Sequence, residues 1–283
     1  MSKDASERHC FELVKSADKD RFLASLFAPD AARPLLHGLY AFNVELARIR
    51  ETVSEPMLGE VRQQWWRDAL DAIYARETPD HPVAQLLSRA IEKGHIPKHA
   101  LMNMIEARRF DLYDDPMPSL NDLEGYLGET SSALIQMAAL VLAGDEALGS
   151  AEASGLAGVA YGLTGLMRAL PLHRARGQCY MPKDVLARFG VTSAHLMAAR
   201  EPAALGLVLG ELRMQATKRL AEARAKAWLI PKAALPAFLP VSLTETYLAC
   251  LTKAGPIALA KPVDISQLRR QWRLYWQARW DVF

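Results

Sequence analysis

Hydrophobic residues recur along this chain at the spacing of an α-helix. The clearest stripe advances by 4, 3, 4, 3 and 4 residues, through Leu35, Leu39, Phe42, Leu46, Ile49 and Val53. Steps of three and four place side chains on one helical face, and Pro34 and Pro56 mark the two ends of this helix. A second stripe runs through residues 205–220. Because no segment keeps a strict alternation of polar and apolar residues, the pattern predicts an all-α fold.

Helix breakers fall at short intervals throughout the chain. Prolines and glycines divide it without a long or low-complexity linker, which predicts about eight to eleven helices in one domain over residues 1–283. The last segment, residues 265–283, combines aromatic and basic side chains, namely Trp272, Tyr275, Trp276 and Trp280 with Arg269, Arg270, Arg273 and Arg279. That composition suits a membrane interface or a protein partner, and equally a helix docked on its own domain.

Charge and composition remove several classes of protein. Lys plus Arg number 34 against 32 for Asp plus Glu, a net charge of +2, so charge gives no ground for a nucleic-acid partner. The three cysteines lie far apart, as free thiols in a reducing compartment do. No apolar signal segment follows the N-terminus, and the apolar residues 133–144 are fewer than the about 20 needed to span a bilayer. We expect a cytoplasmic protein without a transmembrane helix, and peripheral contact with the inner membrane stays open.

Small residues crowd one long segment of the chain. Residues 130–168 are rich in Ala, Gly and Ser and carry few charges. Small side chains let helices approach each other closely, and they also leave room beside a cavity. The segment therefore predicts closely packed helices or the wall of a cavity.

Two segments carry the signature of a known family. Residues 39–51 read LYAFNVELARIRE, and residues 161–182 read YGLTGLMRALPLHRARGQCYMP. Both resemble the squalene/phytoene synthase family of head-to-head isoprenyl transferases, and the resemblance is strongest over residues 20–240. That family has an Asp-x-x-x-Asp motif in each segment. The resemblance implies an isoprenoid-synthase-like helical bundle around a central cavity.

The four motif positions depart from the family pattern. They read Ala47 and Glu51 in the first segment and Ala169 and His173 in the second, so one of four keeps a carboxylate. Pro171 also predicts an interruption of the helix within the second motif. The family's reaction needs Mg²⁺ ions held between carboxylates and the substrate diphosphates. Alanine supplies no ligand, and histidine is a poor one for this hard cation. We therefore expect no catalytic residue, metal or cofactor, and Mg²⁺ enters only if the protein is an active prenyl transferase.

Basic and aromatic residues around the two motifs are the candidate ligand-binding groups. They are Arg48, Arg50, Tyr161, Arg168, His173, Arg176 and Tyr180. Arginines can hold a lipid phosphate or a prenyl diphosphate without metal, because the guanidinium pairs with two phosphate oxygens at once. The alternative is that these arginines form salt bridges, for example with Glu45, Glu51 or Asp111.

Five segments resemble one branch of this family. Residues 42–48, 65–67, 166–173, 180–184 and 234–241 are similar to the complex I assembly factor 6 branch. Members of that branch lack the aspartates and are regarded as assisting assembly of the respiratory NADH dehydrogenase at the membrane. This resemblance implies a non-catalytic protein whose partner is a complex I subunit or assembly intermediate, with a lipid or isoprenoid as candidate cavity ligand. The alternative is an active head-to-head transferase that condenses two prenyl diphosphates.

Overall fold

The computed structural model describes residues 3–280 and residue 283. Within this part of the chain all regular structure is helical, as predicted, and no β-strand occurs. The helices are α1 (Lys3–Ala17), α2 (Lys19–Ser25), α3 (Arg33–Thr52), α4 (Pro56–Tyr74), α5 (Pro82–Gly94), α6 (Lys98–Ala107), α7 (Leu120–Leu127), α8 (Ala133–Ala143), α9 (Ala151–Arg168), α10 (Leu170–Ala175), α11 (Lys183–Arg188), α12 (Ser193–Met197), α13 (Pro202–Ala225), α14 (Leu235–Phe238), α15 (Thr244–Ala254) and α16 (Gln267–Arg279). These are more than the eight to eleven expected, because several are single turns.

Helix α3 follows the stripe that predicted it. Pro34 lies in its first turn, and its backbone becomes extended at Val53, shortly before Pro56 begins α4. The first five stripe residues are buried, while Val53 is half-buried. The helix packs against α5 so closely that a Cβ on Gly38 would lie 2.8 Å from the backbone of Leu86. This packing holds the first motif segment in a fixed position.

The small residues of helix α9 serve both predicted purposes. The helix packs against α13, α8 and the π-helical turn Gly128–Ser132. A Cβ on Gly158 would lie 2.3 Å from Cα of Ser132, so only glycine fits there. A Cβ on Gly165 would meet nothing within 4 Å, because Gly165 faces a cavity. Close packing and a cavity wall thus occur at different positions of one helix.

A proline ends the second motif helix where the sequence predicted an interruption. Helix α9 stops at Arg168, and Pro171 lies in the first turn of the short helix α10. Proline has no N–H for the helical ladder, so one continuous helix through both motif positions is excluded. Ala169 therefore lies at the junction of two helices, and His173 lies on the second of them.

The C-terminal helix α16 docks on the domain by one face only. Arg270 and Leu274 are buried, and Leu274 joins a small hydrophobic cluster with Leu239 and Tyr247. The opposite face leaves Trp272, Tyr275 and other large apolar side chains exposed. Docking on its own domain is therefore confirmed for one face of α16.

Two helical stretches are long and apolar enough to cross a membrane by length and composition. They are Leu120–Arg168 and Lys232–Leu259, with 61% and 83% of their most apolar windows buried inside the fold. Core helices pass the same test when their apolar surface packs against other helices. The expected absence of a transmembrane helix, like the single-domain organisation, stays a prediction.

Candidate functional site

A cavity of about 230 Å³ lies between the two motif segments. Helices α2, α3, α9 and α10 and the segment 126–131 line it. Of the sequence-predicted candidates, Tyr161, Ala169 and His173 are at its wall. Two arginines that the sequence analysis did not single out, Arg21 and Arg108, complete its polar lining.

The 3₁₀ turn Arg108–Leu112 forms one side of the cavity. Side chains at positions i and i+3 of a 3₁₀ turn lie together, so Arg108 Nη1 donates to Asp111 Oδ2 at 3.1 Å. Arg108 Nη2 donates to Asn43 Oδ1 of α3 at 3.2 Å. The hydroxyls of Tyr126 and Tyr180 donate to Asp111 Oδ1 at 2.8 and 2.7 Å. Burial raises the pKa of both tyrosines well above its usual range, so both are neutral hydrogen-bond donors.

Helix α2 contributes Arg21 to the opposite side of the cavity. Asp18 caps this helix and accepts the Arg21 backbone N–H at 3.1 Å and the Arg21 Nη1 at 2.6 Å. The guanidinium of Arg21 lies 5.1 Å from the ring centroid of Tyr161, a distance typical of cation–π contact. The cap and the ring together fix the direction of this arginine.

Behind the cavity, Asp20 joins four helices. It accepts the Tyr161 hydroxyl at 3.1 Å, the Tyr247 hydroxyl at 2.9 Å and the Arg270 Nε at 2.6 Å. Asp20 and Arg270 are 5% and 3% exposed, so this ion pair is buried. No sequence signal identified the pair, because its members are 250 residues apart.

His173 lies at the cavity wall as a neutral base. Its ring is 4.7 Å from the ring of Tyr180, and no described residue bonds its buried Nδ1. Burial, reinforced by the charge of Arg176, lowers the pKa of His173 to about 4. The imidazole is therefore uncharged at neutral pH.

An ion pair joins the two motif segments. Arg176 Nη1 donates to Glu51 Oε1 at 2.7 Å, across 125 residues of sequence. The one motif carboxylate is thus bound to a guanidinium, and Ala47 and Ala169 offer no ligand. Among residues 3–280 and 283, no three His, Cys, Asp or Glu side chains lie close enough to hold a metal ion. These residues do not provide the oxygen ligands that Mg²⁺ requires.

The remaining arginine candidates point away from the cavity. Arg48 lines a separate groove beside Trp65. Arg50 donates to Asp114 at 3.3 Å, and Arg168 donates to Asp264 at 2.8 Å. Arg50 and Arg168 therefore form salt bridges, as the alternative interpretation predicted. Their partners are Asp114 and Asp264 rather than Glu45, Glu51 or Asp111. Ligand binding by Arg48, Arg50, Arg168 and Arg176 stays a prediction.

Comparison with known proteins agrees with this architecture. The squalene/phytoene synthase family model matches residues 14–280. "NADH dehydrogenase (ubiquinone) complex I, assembly factor 6" of Mus musculus is 33% identical over 86% of this chain and 73% of its own length, and that of Bos taurus is 32% identical over 88% and 74%.

Solved structures of the family share the fold. A dehydrosqualene synthase superposes with a TM-score of 0.83 and 18% identity, covering 98% of this chain and 97% of its own. A squalene synthase from Alicyclobacillus acidocaldarius gives a TM-score of 0.78 at 21% identity, covering 89% and 95%. Identities this low support the fold alone. The chain belongs to the squalene/phytoene synthase family, in which it resembles the relatives named complex I assembly factor 6.

Proposed function

We propose that this protein is a non-catalytic member of its family that assists assembly of the respiratory NADH dehydrogenase, complex I. The observation that carries the proposal is the Glu51–Arg176 ion pair between the two motif segments. A guanidinium bound to the one motif carboxylate opposes the binding of a divalent cation there, because like charges repel. The similarity to relatives named complex I assembly factor 6 supplies the partner, a subunit or assembly intermediate of that complex.

The size of the cavity argues against the alternative of an active transferase. Its volume of about 230 Å³ is below the roughly 300–1,000 Å³ of pockets that enclose drug-sized ligands. A head-to-head condensation requires room for two prenyl chains. Arg21 and Arg108 at the wall also make the cavity unsuited to a purely hydrocarbon occupant. Binding of a lipid or isoprenoid stays a prediction, and its phosphate end is the part that suits these side chains.

We expect no diphosphate release when the folded protein is incubated with farnesyl or geranylgeranyl diphosphate and Mg²⁺. Deleting its gene in the native host is expected to lower assembled NADH dehydrogenase at least several-fold on native gels, while succinate dehydrogenase is unchanged. Re-expression of the protein restores the complex. The Glu51→Gln variant restores it equally, since an exposed ion pair contributes only about 0–1 kcal/mol of stability. Metal-dependent diphosphate release would contradict the proposal, and so would unchanged assembly in the deletion strain.

The exposed face of α16 supports contact with the membrane surface. Trp272 is 62% exposed, and Leu268, Tyr275, Trp276 and Trp280 are exposed with it. Arg269 and Arg279 are exposed on the same helix. Aromatic rings among arginines are typical of helices that lie at the interface of an anionic bilayer. We place this face against lipid, which gives the protein a peripheral position on the inner membrane.

Replacing Trp272 and Trp276 by serine is expected to weaken binding to vesicles containing cardiolipin by at least tenfold. The two rings lie one helical turn apart with their centroids 5.5 Å from each other, and together they offer a large aromatic surface at the middle of the exposed face. Co-sedimentation with the vesicles measures the effect. Trp228→Ser is the matched control, because Trp228 is 77% exposed but outside α16. Equal losses in both variants, or no binding by the unaltered protein, would assign the α16 face to a protein partner instead.

A further inference from the structure

We propose that the groove beside Trp65 binds an acidic amphipathic helix of the protein partner. This groove of about 470 Å³ is formed by α1, α3 and α4, together with His81, the residue before α5. The inference rests on the proposed assembly function for the existence of a protein partner. It adds the surface that recognises the partner and the chemistry of the recognised segment.

The α1–α4 groove lies on the side of α3 away from the central cavity. Glu45 and Arg48 of α3 line the groove, whereas Asn43 of the same helix lines the cavity. Positions 45, 48, 49 and 52 form one face of α3, centred about 150° from the face of positions 43, 47 and 51. The groove and the cavity share no lining residue in the described part of the chain. An occupant of the groove therefore leaves the cavity free.

Large apolar side chains continue from the groove along the outer face of α4. Met57, Val61 and Trp65 are four residues apart, so they form one stripe on this helix. Met57 and Val61 are 72% and 62% exposed, and Leu58 and Trp65 are exposed with them. At 1.5 Å per residue the stripe is about 12 Å long, which is about two turns of a bound helix. Contiguous apolar surface of this kind marks an interaction site.

The groove gives this surface a shape that suits a helix. Leu13 of α1 and Ile49 of α3 contribute apolar side chains to it, and Trp65 and Trp66 contribute rings with their centroids 4.9 Å apart. An amphipathic helix binds by placing side chains one and two turns apart into an apolar groove. Contact with a bilayer suits a protruding face instead, such as the exposed face of α16.

The charge at the groove specifies an acidic partner. Arg48 is exposed and forms no ion pair with a described residue. Arg62 donates to Thr52 Oγ1 at 3.0 Å, and it too has no carboxylate partner in the described part of the chain. Glu45 is the one carboxylate among the described lining residues, and burial raises its pKa to about 7. Because Glu45 is only partly ionised at neutral pH, it offsets the two arginines only in part.

Charges on the other flank of the stripe are already paired. Arg109 Nε donates to Glu60 Oε1 at 2.9 Å, and Arg67 Nη2 donates to Glu106 Oε2 at 3.0 Å. The uncompensated positive charge therefore lies on the groove side. A matching helix carries its acidic residues along one edge of its apolar face, and this asymmetry fixes its orientation, because complementary charges set specificity.

Reversing the two charges tests the proposal in the native host. In the deletion strain, the unaltered protein restores assembled NADH dehydrogenase, and Arg48→Glu with Arg62→Glu is expected to leave it at least fivefold lower. Arg200→Glu with Lys261→Glu is the matched control, because both side chains are exposed outside the groove. Thermal unfolding verifies that both variants are folded. Equal restoration by the charge-reversed variant would overturn this inference alone, whereas failure of the unaltered protein to restore the complex would overturn the assembly function as well.

Cross-linking from the stripe identifies the occupant. The photoreactive residue p-benzoylphenylalanine replaces Val61 in the native host, and mass spectrometry identifies the segment attached to it after irradiation. We expect a helical segment of a complex I subunit or assembly intermediate, with at least two acidic residues beside its apolar face. Replacing these acidic residues by lysine is expected to restore assembly with the charge-reversed variant. Attachment to lipid or to a second copy of this chain, a segment without acidic residues, or no rescue by the exchanged charges would overturn the proposal.

Discussion

Replacing Asp20 by alanine is expected to lower the free energy of unfolding by about 3–5 kcal/mol, because it removes the buried carboxylate partner of Arg270 and leaves that guanidinium paired only with the half-exposed Asp264. Arg270 donates its Nε to Asp20 at 2.6 Å and is 3% exposed. The hydroxyl groups of Tyr161 and Tyr247 lose their acceptor in the same substitution. Since Arg270 lies on the docked face of α16, we also expect this helix to detach before the remainder unfolds.

Urea denaturation followed by circular dichroism measures this loss, and hydrogen exchange along residues 267–279 reports the detachment. Asp30→Ala is the control. Asp30 also pairs with an arginine, Arg33, but its side chain is 94% exposed, so its loss is expected to cost about 0–1 kcal/mol. The double variant Asp20→Ala with Arg270→Met removes the buried charge that Asp264 alone compensates only in part, and it is expected to recover part of the stability. An Asp20→Ala variant as stable as Asp30→Ala would contradict a central role for the cluster.

The parts of the fold that the sequence predicted depend on local patterns. The stripe from Leu35 to Ile49 required only the helical period and two prolines, and α3 has those bounds to within a few residues. Pro171 predicted the break after α9 because a missing N–H acts within its own helix. Periodicity and breakers are properties of neighbouring residues, so a single sequence contains them.

The pairing of charged residues depended on contacts between distant segments. Arg168 lies within the second motif segment in the sequence, yet its guanidinium binds Asp264 in the C-terminal segment and lies 3.4 Å from the ring of Tyr247. Arg48 and Arg50 are close in sequence but face different surroundings, because two residues on a helix differ by about 200°. Glu51 lies near the end of α3, and its partner Arg176 lies 125 residues further on.

The cavity residues that sequence reasoning missed had no local signal. Arg21 and Arg108 lie outside both motif segments, and an isolated arginine in a helix is usually at the surface. Only the fold shows that Asp18 and Asp111 hold these two side chains at one cavity. The family resemblance therefore identified the four positions that correspond to the family's metal-binding aspartates. The tertiary structure was needed to identify the arginines at the cavity wall.

The acid sensitivity of the protein is expected to come from two buried histidines. Burial, together with the charge of Arg33, lowers the pKa of His37 from its ordinary value of 6.5 to about 4, and the pKa of His173 is also about 4. His37 is 3% exposed and packs against the rings of Phe11 and Phe22. Between pH 6.5 and 4 the unfolded chain binds protons at both histidines while the folded chain does not, so stability falls as the pH falls.

Glu45 acts in the opposite direction. Burial raises the pKa of Glu45 from 4.5 to about 7. Between these pH values its carboxyl group is protonated in the folded state and ionised in the unfolded state, so Glu45 stabilises the folded state as the pH falls. Each group changes the free energy of unfolding by about 1.4 kcal/mol per pH unit in its window. His37 and His173 against Glu45 leave a net loss of about 2 kcal/mol between pH 6.5 and 4.5, and His81, whose pKa burial also lowers, adds to this loss.

Replacing both histidines by glutamine is expected to reverse this pH dependence. In the His37→Gln, His173→Gln variant, Glu45 is opposed only by His81, whose pKa burial also lowers, so stability is expected to rise as the pH falls from 6.5 to 4.5. The difference between the unaltered protein and the variant thus changes by about 4 kcal/mol, and contributions from other groups cancel in it. Urea titrations at half-unit steps of pH measure both curves, with the exposed His99→Gln as the control for loss of a histidine. If the free energies of unfolding of the unaltered protein and the double variant change in parallel with pH, both buried histidines accept protons in the folded state. The acid sensitivity would then have to arise from the buried carboxylates instead.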